Sequence, residues 1–125
     1  MNKIIENGPV REYYENDALI KRTVIDEEED RTEIYKNGSL NSLDGKPSVI
    51  VKDPLGFRFE YHKDGKLHNE KGPAIECAGR SHLNMWYLDG VELSKMEILK
   101  LKMTSLRDKF LPNSGDPKNN TSLKM

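Results

Sequence analysis

Tyr61-His62-Lys63-Asp64-Gly65-Lys66-Leu67 is the stretch on which the fold turns. Asp-Gly supplies the positive φ angles that a type I′ turn demands, so the strands on either side fold back as a hairpin. Upstream, Phe57-Arg58-Phe59-Glu60-Tyr61 alternates large apolar with charged side chains, the period of a strand. Downstream, Ala74-Ile75-Glu76-Cys77 alternates more weakly.

Working outward, the same unit recurs. An aromatic precedes each turn and a leucine follows it: Tyr14-Glu15-Asn16-Asp17-Ala18-Leu19, Tyr35-Lys36-Asn37-Gly38-Ser39-Leu40 and Tyr87-Leu88-Asp89-Gly90-Val91-Glu92-Leu93. A second pattern alternates with it, in Gly8-Pro9-Val10, Gly45-Lys46-Pro47-Ser48-Val49 and Gly72-Pro73-Ala74-Ile75. Proline cannot donate to a central ladder, so it marks where each new strand starts. One hairpin alone is marginal, but stacked neighbours can share an apolar face. The acidic run Asp26-Glu27-Glu28-Glu29-Asp30 repels itself and reads as a solvated loop.

The hairpins end at Leu93. Ser94-Lys95-Met96-Glu97 has the form of a capping box, in which Ser94 and Glu97 satisfy each other's free backbone donors. In the helix that should follow, Met96, Leu99, Met103, Leu106 and Phe110 fall on one stripe, widened by Ile98 and Leu101. Pro112 stops it. The expected fold is therefore mainly β, of the α+β kind. Stacked antiparallel hairpin repeats over residues 1–93 make an elongated sheet. An amphipathic helix over 94–111 and a disordered tail over 112–125 complete the chain.

The stretch from Asp64 to Glu76, with Trp86-Tyr87-Leu88-Asp89-Gly90, resembles tandem units of phage and giant-virus proteins of the form GKLHREDGPA…WYLNG. These units are similar to MORN-like and antitoxin-like hairpin repeats. The resemblance covers Tyr61 to Leu101 well, Tyr35 to Pro54 loosely and the first 30 residues poorly. Asn69 stands where the repeat has arginine, and Gly45-Lys46-Pro47 holds one extra residue. The resemblance implies a viral source and structural roles for Tyr61, Asp64, Gly65, Leu67, His68, Gly72, Pro73, Trp86, Tyr87, Asp89 and Gly90. It implies no shared reaction, cofactor or catalytic residue.

Composition narrows the function. A chain of 125 residues that is 35% apolar and 33% charged has a thin core, which suits a layered repeat. A formal net charge of −1 makes no general case for nucleic acid. The single Cys77 fits a reducing compartment, and neither a signal peptide nor an apolar run of membrane length occurs, so the expected location is the cytoplasm.

Candidate chemistry is sparse. His62, His68, Cys77 and His82 lack the paired spacing of a zinc site. Glu76 adjoins Cys77 but points to the opposite strand face, and a carboxylate would weaken a thiolate nucleophile anyway. No P-loop, Rossmann or Gly-x-Ser-x-Gly motif occurs. The row Phe57, Phe59, Tyr61 reads as sheet core, and Trp86 as the packing anchor of the last hairpin. The expectation is thus a non-catalytic protein-binding module without cofactor or metal, one that modulates a host or viral protein. A nucleotide-sequestering protein and a structural part of an assembly, self-associating through the helix, are the alternatives. The stripe Met96, Leu99, Met103, Leu106 and Phe110 is the candidate partner surface. Its other expected role is to cover the open end of the hairpin stack.

Overall fold

The computed structural model describes residues 1–110, the side chains of Ser105 and 107–110 excepted. The expected tail over 112–125 lies outside the described residues. The fold is mainly antiparallel β with one C-terminal helix, as the repeated turns predict.

Strands β1 (Asn2–Asn7), β2 (Val10–Glu15) and β3 (Ala18–Ile25) form a meander. It continues through β4 (Asp30–Lys36), β6 (Val49–Asp53), β7 (Gly56–Glu60) and β10 (Ile75–Cys77) in one sheet. The short β5 (Ser39–Leu40) pairs with the end of β4. Two further hairpins, β8 (His62–Lys63) with β9 (Lys66–Leu67) and β11 (Tyr87–Leu88) with β12 (Val91–Glu92), stand beside it. Both residues of all four turns, Asn16-Asp17, Asn37-Gly38, Asp64-Gly65 and Asp89-Gly90, have positive φ, the type I′ signature. The acidic run forms the bend between β3 and β4, where Asp26 Oδ1 accepts from the Glu28 and Glu29 backbone amides.

The last three turns stack in a column by a repeated set of hydrogen bonds. The Gly65 amide donates to the Leu40 carbonyl, Asp64 N to Asn41 Oδ1, and Ser42 N to the His62 carbonyl. One repeat later, Gly90 N donates to the Leu67 carbonyl, Asp89 N to His68 Nδ1, and Asn69 N to the Tyr87 carbonyl. These bonds correct the alignment drawn from the aromatics. Measured from the turn, Tyr61 is equivalent to Ile34 and Trp86, and His62 to Tyr35 and Tyr87. Three matching bonds confirm it: Asn41, His68 and Leu93 amides donate to the Ile34, Tyr61 and Trp86 carbonyls. The column ends for a visible reason. The position of Asn41 and His68 is taken by Leu93, which has no acceptor, and the Ser94 amide is already bound by Glu97.

The buried residues lie between Glu33 and Cys77. Val49 and Val51 are wholly buried on one face of the central strands. Alternation and register place Arg31, Glu33, Arg58 and Glu60 on that same face. Both arginines stand opposite Val51 and both glutamates opposite Val49, and they pair along that face: Arg31 to Glu33 at 2.7 Å, Arg58 to Glu60 at 3.2 Å. Each buried valine contributes roughly 1.5–3 kcal/mol. The expectation that Phe57, Phe59 and Tyr61 form the core is therefore corrected. Phe57 and Phe59 lie on the other face, opposite Lys52 and Ile50, and Phe57 is 41% exposed. Val49-Ile50-Val51 is apolar on both faces, so alternation alone does not tell which face is buried.

Candidate partner-binding surface

The helix α1 (Lys95–Phe110) starts where the column stops. Its capping box is formed: Ser94 N donates to Glu97 Oε1 at 2.8 Å, and Glu97 N to Ser94 Oγ at 3.1 Å. Those bonds hold the Glu97 carboxyl below the usual carboxylate range. Leu93 N donates to the Trp86 carbonyl, so the helix leaves from a fixed point on the last hairpin.

The face that meets the body is not the expected one. Ile98 and Leu101 are half-buried, and Leu101, Glu97 and Thr104 line a shallow cleft with Leu88 and Leu93. Lys102 Nζ lies 5.3 Å from the centre of the Trp86 ring, a cation–π contact. The stripe points away: Met96, Leu99, Met103 and Leu106 are 64%, 50%, 60% and 54% exposed. The capping role considered for this stripe is thus overturned, because residues one helical face away make the contact. The Phe110 side chain lies outside those described.

The repeat residues do local structural work. Asp64-Gly65 and Asp89-Gly90 are turn tips. A Cβ on Gly65 or Gly90 would touch Ser39 or Lys66 of the preceding turn at 3.7 and 3.6 Å. Leu67 supplies a carbonyl to the next turn. His68 accepts at Nδ1 from Asp89 N, which leaves its Nε2 proton facing Glu70 Oε2 at 3.1 Å. Asn69 closes the Gly72-Pro73 loop by donating from Nδ2 to the Pro73 carbonyl. Tyr61, Trp86 and Tyr87 are half-buried.

Two further arrangements were not legible beforehand. Ser48 and His62 are buried together, with Oγ to Nδ1 at 2.7 Å, and Glu60 Oε1 lies 3.9 Å from His62 Nε2. This has the residue types of a hydrolytic triad. But Ser48 is fully buried and its one hydroxyl proton goes to the Glu60 carbonyl, so toward His62 its oxygen is an acceptor, and no substrate carbonyl can reach it. The pair locks the return strand to the hairpin. Burial, reinforced by Arg31 and opposed by Glu60, lowers the His62 pKa. The second arrangement joins two strands, β3 and β4: Glu33 accepts from Arg22, Arg31 and the Tyr35 hydroxyl. Burial pushes the Glu33 carboxyl up, but these donors outweigh it and the net shift is downward. Burial and the Glu33 charge push the Tyr35 phenol up to about 12.

A cleft of about 670 Å³ runs between the return loops, past Asn41, Tyr61, His68 and Lys71. Its charges are mixed, Lys63 and Lys71 beside Glu70 and Glu76. Among the described residues no group of three or more His, Cys, Asp or Glu could hold a metal ion, and no helix is long and apolar enough to cross a membrane. Comparison with family models, curated proteins and solved structures returned no match to this chain.

Proposed function

We propose that this chain is a non-catalytic protein-binding module whose partner docks on the outward stripe of α1. One observation carries the reading: Met96, Leu99, Met103 and Leu106 are exposed together on a helix whose other side lines a shallow cleft with Leu88 and Leu93. An apolar stripe of this size on a fixed helix is the usual donor surface for a helical partner. Two methionines make it adaptable. The resemblance of the repeats to those of phage and giant-virus proteins supports placing the partner among host or viral proteins.

The test is affinity capture from lysate of the source cell, with the intact chain beside a Leu99→Asp, Leu106→Asp variant. Both sites are exposed, so the variant should keep its circular dichroism and melting temperature. A stoichiometric protein held by the intact chain and lost by the folded variant is the expected outcome. Equal retention by both moves the binding surface elsewhere. If the intact chain holds no protein but is stabilised by a nucleotide, the cleft beside Tyr61 and Lys63 becomes the site and the reading is replaced by sequestration.

A further inference from the structure

The large sheet has two ends, and they are finished differently. At one end β10 presents Ile75 and Cys77 outward, and every backbone group they carry is bonded. Ile75 exchanges both bonds with Met85, Cys77 N donates to Asn84 Oδ1, and the Cys77 carbonyl accepts from Arg80 N. At the other end is β1, six residues long, exposed throughout, with no proline and no bulge. The Asn16 amide donates to the Met1 carbonyl, so by alternation Lys3, Ile5 and Asn7 bond β2, while Asn2, Ile4 and Glu6 turn their amides and carbonyls away from it. Among the described residues nothing bonds those outward groups. A free edge of this length is a template for another strand, and charges along it are the usual guard. Here the guards are drawn back onto β2. Lys3 Nζ lies 5.4 Å from the centre of the Tyr14 ring, and Glu6 accepts from the Arg11 guanidinium directly opposite. Between them, Ile4 and Ile5 are 58% and 41% exposed.

We propose that β1 pairs antiparallel with β1 of a second copy of this chain, about a two-fold axis at Ile4. The register follows from the outward groups. Asn2, Ile4 and Glu6 are symmetric about Ile4, so this axis gives each of them a partner: Ile4 meets Ile4 of the second copy, and Asn2 meets its Glu6. A shift of one residue sets outward groups against inward ones, and an axis at Lys3 or Ile5 leaves Glu6 or Asn2 unpaired. No like charges stand directly opposite. Lys3 falls against Ile5 of the second copy, and the two Lys3 on the diagonal are each held over their own Tyr14. Tyr13 stands beside Ile4 in β2, so Tyr13 and Ile4 of each copy make one row across the join. Because β10 is closed, pairing at β1 uses the open end of the sheet and yields a dimer instead of a fibre.

Sedimentation equilibrium from about 5 to 500 μM should show a monomer–dimer equilibrium, as suits an interface at the small end of the range. Ile4→Glu sets two carboxylates at the axis, each diagonal to Glu6 of the other copy, and should weaken the dimer at least about tenfold. Leu99→Asp, Leu106→Asp should leave it unchanged. Ile4→Cys reads the register even if the glutamate variant fails to fold. Cα atoms of an H-bonded antiparallel pair lie about 5.5 Å apart, within disulfide reach. With oxidised glutathione, Ile4→Cys should form an intermolecular disulfide at least about tenfold faster than Ile25→Cys, a substitution in β3 where the isoleucine is 60% exposed. Cys77 is buried, and the parent chain is the control for it. Three outcomes would each overturn the proposal: a monomer at every concentration, equal cross-linking of the two cysteine variants, or a dimer lost with Leu99→Asp, Leu106→Asp and kept with Ile4→Glu.

Discussion

Asn16-Asp17 joins β2 to β3 in the same type I′ turn by which Asp64-Gly65 joins β8 to β9, and in both cases antiparallel strands run on either side. What differs is the surroundings of the turn. Asp64-Gly65 is bonded to the turn before it and carries the turn after it. Asn16-Asp17 is hydrogen-bonded to Met1 instead, through Asn16 N to the Met1 carbonyl and the Met1 ammonium to Asn16 Oδ1. None of the first 30 residues is buried, whereas the stacked region holds Ser48, Val49, Val51, His62 and Ala74. A hairpin thus gains an interior here from what its turn sits on. Local turn chemistry alone does not provide one.

The sharpest way to break this contrast is at the junction between turns. Asn41 is buried, donates to the Lys36 and Ser39 carbonyls, and accepts from Asp64 N at 2.7 Å. Asn41→Leu keeps the branched shape of the side chain but leaves the Asp64 amide and two carbonyls without that partner. A loss of about 2 kcal/mol is expected, read by chemical denaturation. A loss under about 0.5 kcal/mol would mean that the column is held by its strands and not by its turns.

A smaller effect follows from His62. Its pKa in the folded chain lies below the ordinary 6.5, because burial disfavours the charged ring. As pH falls below about 6.5, the unfolded chain takes up a proton that the folded chain still refuses. Stability should therefore be full above that pH and decline below it, until the folded pKa is passed. His62→Gln should remove that part of the decline. Hydrogen exchange sharpens the comparison. Once corrected for intrinsic rates, amides of β6 and β7 should follow this pH dependence, and amides of β1 should not. A β1 response as large as that of β6 would show the two regions to be one cooperative unit.

Much of this was legible because its causes are local. Asn-Gly and Asp-Gly dictate positive φ wherever they sit, and Ser94 with Glu97 can satisfy each other without outside help. The rest depended on contacts between distant residues. The aromatics before the turns suggested one alignment, yet Tyr61 is equivalent to Trp86 because the stack is registered on the Asp-Gly pairs. The valine core hid because it shares its sheet face with arginine and glutamate, residues that read as solvent-facing. The helix stripe was found as a pattern, but which helical face meets the body depends on Leu88, Leu93 and Trp86 together. Nothing in the spacing marked Ser48 and His62, which lie 14 positions apart and meet only when the return strand closes.

The smallest expected effect tests the other side of the contrast. Ile5 lies in the outermost strand, opposite Glu12, and is 41% exposed. It is only partly covered and lies at the sheet edge, so truncation leaves no closed cavity. Ile5→Ala should cost under about 0.5 kcal/mol of global stability, the range of ordinary surface substitutions. It should still speed amide exchange in β1 and β2, since strand pairing is nearly all that holds them. Two separable outcomes, near-constant global stability and faster local exchange, are the signature of a meander that frays without unfolding the column. A global loss above about 1.5 kcal/mol would show that β1 is part of the cooperative core, and the division drawn here between meander and column would be wrong.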